Sequence, residues 1–442
     1  MRQSIGISLI LIKLYMEISA VNNLIQRNFI SLIMRVMGAL SLFLLFVLTA
    51  RNLPPTEYGL FSYYFALSVL FGAFVQWGMP PYLLKIFASG GNNLQSFKIL
   101  IKSFYFSIFL MAVLLLILFS INTLFEFKSL IVIAASIITA FFLAIVNMIS
   151  GVLNGLKKRV SSIFLLYFLP YFLYNIGVTF IDKSIVNFIL LFMFSSLLAS
   201  FIAYSMLKLL IRKYRWPSFK ISYLNEILGR GSSFVFLAVG ILLLNWMDVV
   251  LANVIVGEVA TAQYNSASRI IFIVAIVASV LNTYTTPLYA QYYIKNDIKS
   301  IEKLAHEISK LLFISSVIIS ILVILNGDFA LGLFGSIYKE SYLLLMILLA
   351  GQAFNLVTSQ VGPILTMTNN EKLLTSIFMK AIFINLILNI VLGIYFGVIG
   401  IAIATAIAVV YWNISGIYAI KSILGISVVP FGYSRKPGSD VS

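Results

Sequence analysis

The chain has 442 residues, 61% hydrophobic and 10% charged, with a mean hydropathy of +1.06 and a formal net charge of +16. That balance leaves too little polar surface to cover a soluble core of this length. There is no cysteine and one histidine, His306, which excludes disulfides, thiolate chemistry and a His/Cys metal centre. In a soluble protein the positive charge would suggest nucleic acid; here it sits in short loops between apolar blocks, so topology explains it and no nucleic-acid partner is expected.

In chain order, residues 5–16 form an apolar stretch interrupted by Lys13. It is too short to span and lacks a small-residue cleavage site, so it predicts an interfacial helix, or an extension ahead of a start at Met16, rather than a signal peptide. Apolar blocks of about bilayer length follow at 31–50, 60–78, 99–121, 129–151, 161–180, 185–207, 232–253, 266–288, 309–326, 341–362, 373–395 and 397–420. Helices are expected, because a lipid-exposed backbone must satisfy its own hydrogen bonds. A barrel would show short alternating strands instead. The chain is therefore read as an all-α polytopic membrane protein of about twelve spans.

The loops alternate in charge. One set, with both termini, carries 23 of the 30 Lys and Arg residues; the other carries only Arg51, Lys128, Lys183 and Lys339. This asymmetry places both termini in the cytoplasm. The longest basic loop, 208–231, reads as a cytoplasmic linker held at the interface by Trp216 and its cations. It divides the chain into an N-terminal segment 1–30, a six-helix bundle 31–207, the linker, a second six-helix bundle 232–420 and a tail 421–442. The halves echo each other: Tyr58 and Tyr264 are 206 residues apart, and Lys158 and Lys372 are 214 apart, at matching positions. Six helices per half make this a parallel repeat, the arrangement that lets two bundles rock about a central cleft.

Charges at membrane depth cost several kcal/mol unless paired or wetted, about 2.5–3.5 on insertion scales. Asp248 and Arg269 lie at similar depth on consecutive antiparallel spans. An ion pair between them is expected, as a static clasp or as a gate or proton-sensitive switch at the outer mouth. Arg35 and Lys380 lie one and two turns inside their spans on the cytoplasmic side. Each either snorkels to the headgroups or offsets an entering anion, which arginine holds with its planar fork. Asn245, Gln352 and Asn385 recur within spans as candidate partners for sugar hydroxyls, with Gln76, Asn147, Asn282, Gln360 and Asn389 among others of the same kind. Their plainer role is interhelical hydrogen bonding. His306 lies in E-K-L-A-H-E-I-S-K, read as a solvated amphipathic face. There is no G-x-x-x-x-G-K-[ST], so no P-loop supplies energy, and no cofactor is expected.

Three stretches resemble polysaccharide-export flippases of the multidrug/oligosaccharidyl-lipid/polysaccharide exporter superfamily. R-N-L-P-P-T-E-Y-G-L-F (Arg51 to Phe61) resembles that family's R-x-L-G-P-x-E-Y-G-x-F, with Pro54 in place of glycine. W-G-M-P-P-Y-L-L-K (Trp77 to Lys85) is similar to its D-x-G-x-x-x-A-L-x-R, without the acid. Met247 to Ile270 resembles its seventh-helix aspartate followed by G-x-Y-x-x-A-x-R. The resemblance implies a two-lobed, V-shaped, MATE-like bundle in the bacterial inner membrane. It implies a flippase that carries an undecaprenyl-pyrophosphate-linked oligosaccharide outward by alternating access, for O-antigen, capsule or exopolysaccharide synthesis. A polysaccharide polymerase and a chain-length regulator would then be its partners. The alternatives are a cation-coupled multidrug exporter of the same fold, which would want luminal carboxylates, and a multi-span glycan polymerase, which the short outer loops disfavour.

Overall fold

A computed structural model describes residues 30–31, 33–89, 94–125, 129–210 and 222–430. The expected segment 1–29, the heart of the linker with Trp216, and the tail from 431 lie outside the described residues. Within the first half, α1 (Ile33–Asn52), α2 (Pro55–Gln76), α3 (Met79–Ala88), α4 (Leu94–Phe125) and α5 (Leu130–Gly155) are followed by α6 (Arg159–Ile163) and α7 (Leu169–Gly177). A π-helical turn, Phe164–Phe168, joins α6 to α7, and α8 (Ile185–Leu210) completes the half. Pro170 has no N–H to give back to the preceding turn, which accounts for the wider turn at that point. The second half holds α9 (Ser222–Leu251), α10 (Glu258–Ile294), α11 (Ile298–Gly332), α12 (Tyr342–Val357), α13 (Val361–Met367) and α14 (Glu371–Leu424).

Among the described residues nine helices are long and apolar enough to cross a membrane, and the bent α10 makes a tenth. The apolar end of α9 together with the π-helical turn that follows it, Leu242–Val256, supplies another. A last one is hidden inside α14. Its 54 residues would run about 81 Å if straight, but the chain reverses at Gly397 (φ 60°, ψ −142°). Asn389 and Thr405, each eight residues from that glycine, both reach Asp248. The last two apolar blocks, 373–395 and 397–420, are thus a tight antiparallel hairpin, and the twelve-span reading is recovered.

The helices outrun the apolar blocks at the basic end. α11 has 35 residues, about 52 Å, against a hydrocarbon core of about 30 Å. Its first turns, which precede the apolar block, are amphipathic, with Ile301, Ala305, Ser309 and Leu312 buried. The buried side carries the chain beyond α14. Ile426 and Val428 are buried, Ser427 N–H donates to Glu302 Oε1 (3.0 Å), Ser309 Oγ donates to the Val428 carbonyl (2.9 Å), and His306 Nδ1 meets the Val429 carbonyl (3.0 Å). His306 is a strap-docking residue here, not a freely solvated one.

The core shows where the two halves meet. One apolar cluster joins them at the sparsely charged end, from Leu45, Phe46 and Tyr58 in the first half to Trp246, Tyr264, Tyr338 and Leu345 in the second. At the basic end the halves keep separate cores. One holds Met79, Phe97, Met148 and Leu165, with only Ile227 from the second half; the other holds Tyr289, Ile301, Val361 and Ile420. The molecule is sealed at one face and divided at the other, the two-lobed V that the resemblance implied.

Candidate functional site

The seal is built from aromatic rings and one close backbone approach. Tyr58 meets Tyr338 edge-on (5.6 Å), Phe43 meets Phe334 (5.5 Å), and Arg51 Nε donates to the Leu333 carbonyl (2.6 Å). Asn265 Nδ2 donates to Tyr58 Oη and Ser62 Oγ, each at 3.0 Å. Here α2 crosses α10 so closely that a Cβ on Gly59 would sit 1.8 Å from the Glu258 carbonyl oxygen. Glycine at 59 is what allows the two second spans to touch.

Directly inward from this seam lies Arg269, 5% exposed. Its guanidinium stacks over Trp246 (4.3 Å to the ring centroid) and faces Phe46 (5.1 Å) and Phe272 (5.9 Å). Three helices, α1, α9 and α10, thus converge on one cation. The expected ion pair with Asp248 is not formed: the only ion pairs among the described residues join Glu226 to Lys102 and Arg230. Equal depth did not mean facing directions. Arg269 turns toward α1 and Trp246, while Asp248 turns into the second half. Arg269 has one long contact, Nη2 to Ser268 Oγ at 3.4 Å, and its buried Nε–H has no acceptor. A buried cation without a carboxylate, and with a free donor, is costly unless an anion arrives to meet it.

Asp248, 3% exposed, sits in a nest that sequence reading did not assemble. Asn389 Nδ2 donates to Oδ1 (2.8 Å), and Tyr264 Oη (3.1 Å) and Thr405 Oγ1 (2.9 Å) reach Oδ2. Asn385, 1% exposed, lies beside the same carboxyl group. Thr405 Oγ1 is also 2.9 Å from the Ile401 carbonyl. A hydroxyl carries one proton, so two networks fit the same atoms. With Asp248 ionised, Thr405, Tyr264 and Asn389 all donate to it. With Asp248 protonated, its O–H donates to Thr405, whose own proton turns to Ile401. The nest accepts or releases a proton without rebuilding. No group of three or more His, Cys, Asp or Glu that could hold a metal occurs among the described residues.

The other expected residues separate. Arg35 is exposed and forms no ion pair among the described residues. It shares its helix face with Ala39, Leu42 and Phe46, opposite the exposed Met37, Leu40 and Leu44. It therefore lies on the side of α1 that carries Arg269's ring partner, about 16 Å along the helix. Lys380 is exposed on the face of Phe383, Ile387, Val391 and Ile394, all themselves exposed. Asn385 and Asn389 lie on the buried face instead, so Lys380 stands apart from the Asp248–Arg269 centre. Asn245, one turn before Asp248, is exposed. Gln352 belongs to a separate polar chain: Asn355 Nδ2 donates to its Oε1 (3.3 Å), Asn413 Nδ2 donates to Asn355 (3.0 Å), and Thr358 Oγ1 donates to Asn413 (2.7 Å). Asn389 was visible in the sequence as a polar residue within a span, and Tyr264 only as a repeat position between two spans. Thr405 gave no signal, since a lone threonine in an apolar block is ordinary.

Known structures share this architecture. A lipid II flippase MurJ in an inward closed conformation superposes with a TM-score of 0.66 at 16% identity over 87% of each chain. An inward-facing multidrug resistance MATE transporter of the MOP superfamily gives 0.69 at 16% identity, over 90% of this chain and 98% of that one. A MOP superfamily transporter from Pyrococcus furiosus, described as having a binding pocket of reverse polarity, gives 0.60 at 15% identity over 91% and 95%. A search of curated protein sequences finds no match. The MatE family model matches residues 236–394, and the model for polysaccharide biosynthesis proteins matches residues 24–293, more than half of the chain. The chain belongs to the polysaccharide biosynthesis protein family.

Proposed function

We infer that this transporter-fold protein moves an anionic lipid-linked oligosaccharide, carried on undecaprenyl pyrophosphate, from the cytoplasmic to the outer leaflet of a bacterial inner membrane. The observation that carries this reading is Arg269, a buried guanidinium with no carboxylate beside it and a free N–H. A pyrophosphate has the charge and the oxygens to satisfy that donor set. Arg35, on the same face of α1 nearer the basic end, gives an entering anion a first cation to meet. The basic end, where the cores are separate, faces the cytoplasm by the loop-charge rule, so the anion enters from the side where it is made.

Asp248 supplies the means of coupling, because its nest holds the carboxyl group in either protonation state. A multidrug exporter of organic cations would need a carboxylate with oxygens left for its cargo, and both Asp248 oxygens are already met by Asn389, Tyr264 and Thr405, unlike the Arg269 Nε–H. The glycan, once delivered, is taken up by a polysaccharide polymerase and chain-length regulator. Native mass spectrometry of the purified protein tests the reading. Undecaprenyl-pyrophosphate oligosaccharide is expected to bind the wild type, and Arg269→Ala to weaken binding by at least about thirtyfold, the lower end for unpairing a buried charge. Equal affinity of the two proteins, or wild-type preference for a lipophilic organic cation, contradicts it.

A further inference from the structure

The second span of each half changes direction at the same place in the repeat. In the first half α2 ends at Gln76; Trp77 (φ 45°, ψ 46°) and Gly78 (φ 65°, ψ 10°) turn the chain, and α3 restarts with Pro80 and Pro81 in its first turn. In the second half, 206 residues on, α10 bends by 40° between Ser279 and Tyr284, with Pro287 inside the helix. A proline there removes the hydrogen bond to the carbonyl four residues earlier, which places the kink in that turn. Pro81 and Pro287 are themselves 206 residues apart. The two halves reach the same elbow by different chemistry, an interrupted helix in one and a proline-kinked helix in the other.

Each elbow is fastened by one pair of side-chain amides to the fourth span of its own half. Asn147 Nδ2, on α5, donates to Gln76 Oε1 at 2.9 Å. Gln360 Nε2, in the break between α12 and α13, donates to Asn282 Oδ1 at 2.8 Å. Asn282 follows Gln76 by 206 residues and Gln360 follows Asn147 by 213, matching the repeat offsets of 206 and 214 to within one residue. The pairs are therefore equivalent, with the residue types exchanged: Gln on the second span and Asn on the fourth in one half, the reverse in the other. Tyr289 Oη also donates to Gln360 Oε1 (2.9 Å), while Thr285 Oγ1, 2% exposed, has no partner. One more hydroxyl stands ready at the second elbow for a rearranged network.

Beyond the elbows lie α3 with the start of α4, and the end of α10 with the start of α11. These are the segments that hold the separate cores at the basic end. The first is also tied to α9: Trp77 Nε1 reaches the Leu228 carbonyl (3.3 Å), Arg230 Nη1 donates to Tyr82 Oη (2.5 Å), and Lys102 and Arg230 pair with Glu226. We propose that the Gln76–Asn147 and Asn282–Gln360 amide pairs are matched hinge clasps, about which these two basic-end segments swing to open and close the mouth of the translocation path. A single amide hydrogen bond suits this use. Membrane interhelical bonds average about 0.6 and reach about 1.7 kcal/mol, enough to bias two positions by roughly three- to eighteenfold and weak enough to break in each cycle.

The inference rests on the alternating-access reading, but its test needs no substrate. The chain has no native cysteine, so spin labels at Lys85→Cys on α3 and Lys303→Cys on α11, both exposed, report the separation of the two segments without background. Double electron–electron resonance in lipid nanodiscs gives the ratio of near to far populations. Gln76→Ala and Gln360→Ala are each expected to change that ratio by roughly three- to eighteenfold. The double exchange Gln76→Asn with Asn147→Gln, which writes the second half's clasp into the first, is expected to restore it. Alanine variants whose distances superimpose on the wild type overturn the proposal. So does an exchanged pair that keeps the alanine distribution or fails to fold, since the second half already holds that arrangement. Because no glycan is involved, these outcomes stand apart from success or failure of the flippase reading.

Discussion

At the scale of single residues, depth was legible in the sequence and direction was not. Asp248 and Arg269 were expected to pair because consecutive antiparallel helices bring them level. Helix phase sends the carboxyl group to Asn389, Tyr264 and Thr405 and the guanidinium to Trp246 and Phe46. Rotation of a span about its axis is set by packing against its neighbours, which a single sequence does not carry. The two residues should then fail independently. Asp248→Asn keeps the size of the side chain and should leave folding intact while removing the proton-dependent part of transport. Comparing flipping rates in vesicles with and without an imposed pH gradient checks this, and an undiminished response in the variant contradicts it. Lys380→Ala, on the exposed face of α14, should cost far less transport than Arg269→Ala; comparable losses would place Lys380 in the path after all.

At the scale of elements, the apolar blocks gave the spans, and two features came from local chemistry. Gly397 holds a conformation closed to other residues, and a Cβ on the nearby Gly400 would lie 2.0 Å from the Leu392 carbonyl oxygen. Gly397→Ala should therefore lower stability by about 1–3 kcal/mol, seen as a drop in melting temperature in detergent. The protruding end of α11 starts from Asp297, whose side chain accepts from Ser300 N–H (3.0 Å) and Ser300 Oγ (2.6 Å). These bonds, the side-chain one foremost, hold the Asp297 carboxyl group below its usual range. A depressed folded value means the cap stabilises above the ordinary aspartate range, near about 4, and weakens as pH falls through the folded value. Hydrogen exchange at the Ser300 and Ile301 amides, after correction for intrinsic rates, should show protection at pH 6 that declines at pH 3. The break at 358–360 went unread although its signal is present: Gly362-Pro363 follows it, and Pro363 has no N–H to give to the Ser359 carbonyl. The repeat offsets, applied to polar residues as they were to tyrosines and lysines, would have linked Gln76 with Asn282 and brought Asn147 to within one residue of Gln360.

Over the whole molecule, loop charge, helix count and repeat foretold two lobes, while the face that is shut follows only from tertiary contacts. The seam at the sparsely charged end depends on Gly59, since any side chain there collides with the backbone of α10. Gly59→Ala should force α2 and α10 apart, and cysteines replacing Tyr58 and Tyr338 should then cross-link less readily than in the parent with glycine. The central claim is that the buried, unpaired Arg269 under this seam receives the pyrophosphate of a lipid-linked glycan. Its most direct test is flipping in proteoliposomes, with labelled undecaprenyl-pyrophosphate oligosaccharide loaded in one leaflet and its arrival in the other read by a membrane-impermeant glycosidase. Wild-type protein is expected to expose the label and Arg269→Ala to leave it protected at the rate of protein-free vesicles. Labelled glycan that stays protected with the wild type, or becomes exposed equally fast with Arg269→Ala, contradicts the account.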